Sequence, residues 1–331
     1  MTQVLPSRSS QEFAQAAARA VESLRAGEPV ALPTETVYGL AADALNSEAV
    51  LRIFEAKERP RFNPLIVHLP GRQWLERVAR LDPGSRDLTE KLMARFWPGP
   101  FTMVLPRREI VPDLVAAGLD TIAVRISAHP LFSEVIRAFD SPLAAPSANR
   151  FGRISPTTAQ HVWDELEGRI PLIVDGGPAL HGIESTIVAV RNGQIEILRR
   201  GPVTAEQLEA FGVVVSAKAG PRPEAPGQLP SHYAPRTPLV LTSEPKAFDV
   251  SPNKKCGLLA WQSCGAGRFA EMRQLSSSQN LREAAANLFR YLRELDQLHL
   301  DLIVAETLPE EGLGAAIMYR LRRASSPASK G

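Results

Sequence analysis

The sequence predicts an α/β protein in two parts: a mixed sheet with flanking helices over residues 1–215, and a smaller α/β domain over residues 239–331. Three observations lead there. Short apolar runs alternate with amphipathic helical stretches along the first 210 or so residues. Two strands flank Asn192-Gly193, a two-residue turn signal for an antiparallel hairpin, so the sheet is not purely parallel. Residues 216–238 are dense in Pro, Gly and Ala and read as a linker, beyond which strand and helix patterns resume.

In chain order, residues 11–26 set Phe13, Ala16, Ala17, Ala20, Val21 and Leu24 on one helical face, with Ser9 or Ser10 as cap and Gly27 as stop. A strand at Val30–Leu32 enters the stretch PTETVYGL. Ser47 is placed to cap a helix that carries Val50, Leu51 and Phe54 inward and ends near Lys57. A strand at Leu65–Leu69, a helix around Leu88–Phe96, strands at Phe101–Leu105 and Thr121–Ile126, and a helix near Leu131–Phe139 follow. Leu143–Ala145 is a strand that runs into a Ser/Asn/Pro loop. The hairpin joins Thr186–Val190 to Ile195–Leu198, and Thr204 with Gln207 forms a capping box for the last helix of this part. Past the linker come strands near Leu239–Leu241, Gly257–Ala260 and Leu302–Ala305. A long helix there faces Leu281, Ala284, Ala285, Leu288, Tyr291, Leu292 and Leu295 inward.

Composition narrows the function classes. The 331 residues are 44% hydrophobic, enough to bury two cores. A net charge of +2, from 38 basic and 36 acidic side chains, is not the footprint of a protein that lives on nucleic acid, so any anion site is local. Cys256 and Cys264, the two cysteines, have no metal-ligand spacing and read as reduced thiols. The N-terminus lacks a basic start followed by an apolar stretch, and no run approaches the roughly 18 apolar residues of a membrane span. The expectation is a cytoplasmic protein without membrane contact.

No GxxxxGK[ST], HExxH or GxSxG pattern occurs. Gly265-Ala-Gly267 after a strand imitates a dinucleotide turn, and an ordinary strand-to-helix turn explains it as well. Lys57-Glu58-Arg59-Pro60-Arg61 puts three cations into five residues at a helix exit, where Pro60 prevents the helix continuing. The set suits a polyphosphate or a solvated charged loop. Pro146-Ser147-Ala148-Asn149 and Ser155-Pro156-Thr157 supply short donors and acceptors on loops, for nucleotide binding or for turns and caps. His68, inside an apolar strand, is a core histidine or a neutral ligand contact. Gly182-Ile-Glu184-Ser185-Thr186 brings a carboxylate and two hydroxyls to a strand entry. Arg125 and Arg199 each finish an apolar strand, where a guanidinium either reaches solvent or, if buried, needs an anionic or carbonyl partner.

Taken together and in order, these segments resemble the YrdC-type threonylcarbamoyl-AMP synthases in their long, two-domain form. The resemblance rests on PTETVYGL at Pro33 to Leu40, KERPRFNPLIVH at Lys57 to His68, WPGPFT at Trp97 to Thr102, GLDTIAVRISAHP at Gly118 to Pro130, APSAN at Ala145 to Asn149, SPT at Ser155 to Thr157 and GIESTI at Gly182 to Ile187. The linker's APGQLPSHYAP and the C-terminal GLGAAIMYRLRRAS extend it over nearly the whole chain. One departure is Tyr319, where family members often carry Asn.

The resemblance implies a twisted YrdC-like sheet with a positively charged concave site, followed by a Rossmann-like accessory domain. It further implies that Thr34, His68, Arg125 and Ser185 surround L-threonine, and that Lys57 and Arg59 act on the phosphates as the catalytic pair. Ser147 and Asn149 would meet the nucleotide, with Thr121, Ser155, Arg199 and Tyr233 as further ATP contacts. ATP would enter with Mg2+, and bicarbonate would supply the carbonyl. The product would pass to the tRNA threonylcarbamoyl-transfer machinery. Competing readings are an RNA-binding protein that grips a backbone weakly with its basic cavity, and a carbamoyl-transfer enzyme of metal-centre maturation. The near-neutral charge disfavours the first, and the absence of zinc-finger-like cysteine spacing the second.

Overall fold

The computed structural model describes residues 1–217, 222–229, 232–251, 253–262 and 267–326. Part of the linker, Cys264 and most of the Gly265-Ala-Gly267 turn lie outside the described residues. The chain divides into two compact units. The first comprises Met1–Phe151, Pro156–Ala179 and Glu184–Gln228; the second comprises Gly152–Ser155, Leu180–Ile183 and Leu229–Gly331.

The first unit opens with β1 (Gln3–Pro6), α1 (Ser10–Arg25), β2 (Val30–Leu32), β3 (Gly39–Asp43), α2 (Ser47–Lys57) and β4 (Ile66–His68). A 3-10 turn at Arg72–Trp74 runs into α3 (Leu75–Val78), followed by α4 (Arg86–Phe96), β5 (Phe101–Pro106), α5 (Asp113–Ala116), β6 (Thr121–Arg125) and α6 (Pro130–Phe139). The unit continues with β7 (Leu143–Ala144), α7 (Ala159–Leu166), β8 (Leu172–Asp175), β9 (Thr186–Arg191), β10 (Gln194–Arg199), α8 (Ala205–Glu209) and β11 (Val214–Ser216). Among the described residues these strands form one sheet in the order β1-β8-β2-β3-β7-β4-β6-β5-β9-β10-β11. It is mixed, as expected: β4 runs parallel to β6 and β5 to β9, whereas β7 opposes β4 and β5 opposes β6.

Both faces of the sheet are covered, which explains strands read as apolar runs rather than as alternating patterns. Val30 and Leu32 pack with α1 and α6 residues, including Ala20, Leu24 and Phe132. Ala31 between them joins the opposite core with Val50, Phe54, Leu92 and Val162. The two-residue side-chain period divides one short strand between two hydrophobic layers.

Local signals account for most element ends. Ser9 caps α1 with a capping box completed by Glu12. For α2 the cap is Asn46, not Ser47: the Asn46 side chain accepts from the Glu48 and Ala49 amides, so Ser47 becomes the first helical residue. The expected Thr204–Gln207 capping box is present on α8. Asn192 and Gly193 both adopt positive φ, 51° and 71°, the geometry of a two-residue hairpin between antiparallel strands.

The second unit contains β12 (Leu239–Thr242), β13 (Cys256–Ala260), β14 (Glu271–Gln274), α9 (Leu281–Asp296), β15 (Leu302–Glu306) and α10 (Leu313–Ala324). Its sheet, in the order β12-β15-β13-β14, is parallel throughout. Ala284, Ala285, Leu288, Leu292 and Leu295 of α9 are buried as expected, with Phe289 beside them, whereas Leu281 and Tyr291 are only partly buried. Cys256 is a buried free thiol. No helix of the described residues is long and apolar enough to cross a membrane.

Candidate functional site

The basic segment is shaped by the way α2 ends. Glu58 adopts a left-handed conformation (φ 52°) and the Arg59 amide returns to the Phe54 carbonyl at 2.9 Å, with Pro60 just beyond. This turn buries two of the three cations. Lys57 is 1% exposed; its Nζ donates to the Ser147 carbonyl at 2.5 Å and to the Asn149 carbonyl. Arg59 donates from Nη2 to the Pro64 carbonyl at 2.9 Å and, through Nε and Nη2, to that of Asn63. Arg61 is exposed, so of the three cations read as a set only Lys57 and Arg59 are buried together. Burial, and then Arg59, push the Lys57 amine well below its ordinary value; burial brings Arg59 to about 9.

Asn63 was not singled out from the sequence. It is fully buried, and neither its amide nitrogen nor its oxygen has a hydrogen-bond partner. Such an orphan is uncommon in a folded protein and marks a place where a ligand group completes the bonding. Its only sequence signal was its place between a basic turn and an apolar strand.

A second cluster gathers where β4 and β6 end side by side. His68 pairs in register with Arg125. Its imidazole is buried with only loose approaches to the Ile66 and Leu143 main chain, and the ring tilts against Phe132 with centroids 4.8 Å apart. Burial, and then the Arg125 charge, lower His68 to about 3, so the ring is neutral at physiological pH. Arg125, 3% exposed, donates from Nη2 to Glu35 Oε1 at 2.5 Å and from Nη1 to Thr36 Oγ1 at 3.1 Å; its Nε is buried and unpaired. Ser127 donates to the other Glu35 oxygen at 2.5 Å. Burial alone would raise the Glu35 carboxyl, but Arg125 and Ser127 outweigh it and hold it at about 2. Thr34 lies in the same loop. Its hydroxyl donates to the Val37 carbonyl at 2.6 Å and accepts from the Thr36 and Val37 amides, so it orders the turn from within.

Next in the sheet, Ser185 precedes β9 and shares a 2.8 Å hydrogen bond with Thr102 of β5. Arg199 grips Ser185 through both its carbonyl, at 3.1 and 3.0 Å, and its hydroxyl, at 3.0 Å. Gly201 permits this approach, because a Cβ there would stand 2.4 Å from the Thr186 nitrogen. Thr102, like Glu35, was missed at the residue level although both lie in motifs the sequence made visible.

Thr121 lies at the opposite end of β6 from Arg125, about 13 Å away at ~3.3 Å per residue. Asn63 and Pro64, just ahead of β4, come to that same end because β4 and β6 are parallel. Ser147 reaches it through its bridge to Gly39, and Asn149 is buried two residues on, its Nδ2 donating to the Arg150 carbonyl at 2.8 Å. The first unit therefore holds two adjoining groups: Lys57, Arg59, Asn63, Thr121, Ser147 and Asn149 at one end of β4 and β6, and His68, Arg125, Ser185 and Arg199 at the other, with Thr34 on the β2–β3 loop joined to the second group through Thr36. Ser155 and Tyr233 belong to the second unit. There Ser155 is fully buried, and Tyr233 stacks on Phe289 with Arg320 above its ring. Among the described residues no three His, Cys, Asp or Glu side chains converge as a metal site.

Known proteins share both halves of this chain. A Sua5/YciO/YrdC family model, described as telomere recombination, matches residues 22–201. A second, described as the threonylcarbamoyl-AMP synthase C-terminal domain, matches residues 203–326. The threonylcarbamoyl-AMP synthase of Pyrococcus abyssi is 40% identical over 319 residues, covering 91% of this chain and 92% of its own. That of Bacillus subtilis is 39% identical over 322 residues, covering 93% and 92%. The crystal structure of P. abyssi Sua5 complexed with L-threonine superposes with a TM-score of 0.87 at 37% identity, over 98% of this chain and 97% of that one.

Proposed function

The chain belongs to the Sua5/YciO/YrdC family of threonylcarbamoyl-AMP synthases, and from that premise we propose that it joins L-threonine, bicarbonate or carbon dioxide, and magnesium-bound ATP into L-threonylcarbamoyladenylate and pyrophosphate. The observation that carries the reading is the set of buried, unpaired polar atoms on Asn63 and Arg125. These atoms have been removed from water without a protein partner, an arrangement a polar substrate would relieve.

In this reading L-threonine occupies the end of the sheet with Thr34, His68, Arg125 and Ser185. The Arg125 guanidinium faces its carboxylate, and the neutral His68 ring offers a donor or an acceptor without adding charge. The nucleotide runs toward Lys57, Arg59, Asn63, Thr121, Ser147 and Asn149, and Arg199 acts on the reaction through Ser185. The magnesium ion arrives as part of the nucleotide substrate.

Chemistry proceeds in two balanced steps. The neutral threonine amine adds to carbon dioxide and releases a proton, forming a carbamate. A carbamate oxygen then attacks the α-phosphorus of ATP, and the bond to the β-phosphate oxygen breaks to release pyrophosphate. No protein nucleophile is needed, so catalysis rests on alignment and on positive charge near the phosphates. Polyphosphate beside Lys57 favours its ammonium form and opposes the effect of burial. The adenylate then serves threonylcarbamoyl transfer to tRNA.

The deciding measurement is pyrophosphate release together with product mass, using ATP, magnesium and bicarbonate with L-threonine or L-serine. Threonine-dependent pyrophosphate and a product containing threonine, a carbonyl and AMP are expected. Pyrophosphate formed regardless of the amino acid would remove threonine as substrate, and no turnover by folded protein would remove the synthase reading.

A further inference from the structure

The Glu35–Arg125 ion pair has no part in the bond-making steps above, yet it is among the most buried charge in the first unit. Glu35 is 6% exposed and Arg125 3%. Each carboxylate oxygen is pinned at 2.5 Å, one by Arg125 and one by Ser127, and the Ser127 hydroxyl accepts in turn from the His129 amide at 3.2 Å. Thr36 holds the other terminal nitrogen of the guanidinium at 3.1 Å, and Nε is buried without a partner. The cross-strand neighbour His68 is neutral. The Glu35 and Arg125 charges therefore cancel each other, while the other guanidinium at this end, Arg199, is turned onto the Ser185 carbonyl and hydroxyl.

A buried guanidinium without that carboxylate would be an indiscriminate anion receptor, because phosphate and sulfate match its planar fork as well as an amino-acid carboxylate does. The reaction brings a polyphosphate into the same site. We propose that Glu35 is a specificity-determining positioning residue: by pinning and neutralising Arg125, it makes this pocket accept a zwitterionic amino acid and refuse phosphate-like anions. The inference rests on the reading that Arg125 belongs to the threonine pocket. It deepens that reading by naming what keeps amino acid and polyphosphate at their own ends of the sheet.

The test uses the full chain and initial rates of pyrophosphate release, with inorganic sulfate as the anion probe. Glu35→Gln is expected to raise KM for L-threonine at least about tenfold, keep KM for ATP within about threefold, and make sulfate competitive with threonine where the unmodified protein shows no such competition. Ser127→Ala leaves the charge in place, so a smaller rise in threonine KM without sulfate competition is expected. A purely structural role would move both KM values together and create no sulfate competition; that result, or an unchanged threonine KM in Glu35→Gln, overturns the inference. If Glu35→Gln does not fold, Glu35→Asp retains the charge but draws it back from Arg125. It should raise threonine KM without sulfate competition, and an unchanged KM there is equally fatal. Arg125→Ala separates the two claims. If it leaves threonine KM unaltered, the pocket assignment itself fails; if it raises threonine KM and Glu35→Gln does not, only the role of Glu35 fails.

Discussion

Lys57 Nζ donates to the main-chain carbonyl of Ser147 at 2.5 Å, and a second bond goes to the Asn149 carbonyl. The last residue of α2 thereby fastens the loop that follows β7, and the Phe151 amide returns to the Lys57 carbonyl at 2.9 Å. A residue chosen from sequence for its charge also fixes the shape of the opposite wall.

Lys57→Met preserves most of the side-chain length and removes the donors. Turnover should fall by more than about tenfold, or ~1.4 kcal/mol of barrier, with a raised KM for ATP. Lys57→Arg should not restore it, since a planar fork cannot replace a compact ammonium between two carbonyls. Wild-type rates in Lys57→Met would remove the lysine from the phosphate end.

Asn63→Leu replaces an unpaired buried amide with an apolar group of similar shape. Thermal unfolding of the free protein should occur at an unchanged or higher temperature, because an unsatisfied polar group disappears. ATP affinity, measured by calorimetry, should weaken about tenfold or more, ~1.4 kcal/mol. Loss of stability with intact ATP binding would make Asn63 a structural residue.

Buried groups that resist protonation lower stability in acid, among them His129, pushed down by burial, and more strongly His68 and Glu35. His68 has a folded-state value of about 3 against an ordinary 6.5, so the unfolded chain binds its proton more readily. Its contribution is complete above pH 6.5 and is lost as pH falls toward 3, by about 1.4 kcal/mol per pH unit. Glu35, at about 2 against an ordinary 4.5, contributes above pH 4.5 and loses its share as pH falls toward 2. Urea unfolding of the first unit at pH 7, 5.5 and 4 should show falling stability, and His68→Asn should flatten the fall between pH 6.5 and 4.5. An equally steep fall in that variant would place the titrating group elsewhere.

Thr102→Val keeps the shape of a fully buried side chain and removes its bond to Ser185. A net loss of about 0.5–1.5 kcal/mol corresponds to a threonine KM roughly two- to tenfold higher, with Thr102→Ser close to the unmodified protein. Equal threonine KM values in both variants would show that Ser185 needs only Arg199 to hold it.

Much of this was legible in the sequence where chemistry is local. The Asn192-Gly193 turn, the Thr204–Gln207 capping box and the apolar face of α9 each depend on residues a few positions apart. So did the expectation that Arg125 and Arg199, ending apolar strands, would if buried need an anion or a carbonyl. One found Glu35 and the other the Ser185 carbonyl. The partners themselves were not legible: Glu35 is 90 positions from Arg125, and only the sheet brings them together. Elements without a local signature also escaped. Strand β3 is built from Gly, Leu, Ala, Ala and Asp, with neither alternation nor β-branching. Strand β1 finds its partner in β8, with Gln3 opposite Leu172. Helix α10 is buried at eight positions, too many to leave one polar face, and it begins after Gly312 without a side-chain cap.

The large sheet is open, and its two ends are guarded by brevity. One boundary is β1, four residues closing at Pro6, and the other is β11, three residues from Val214 to Ser216. An unpaired strand edge is a template on which another chain can add itself, and the hazard grows with its length. Here an incoming strand would meet only a few free amides at either end, with none at Pro6. Among the described residues, a sheet of this width thus offers an added strand few main-chain partners at either edge.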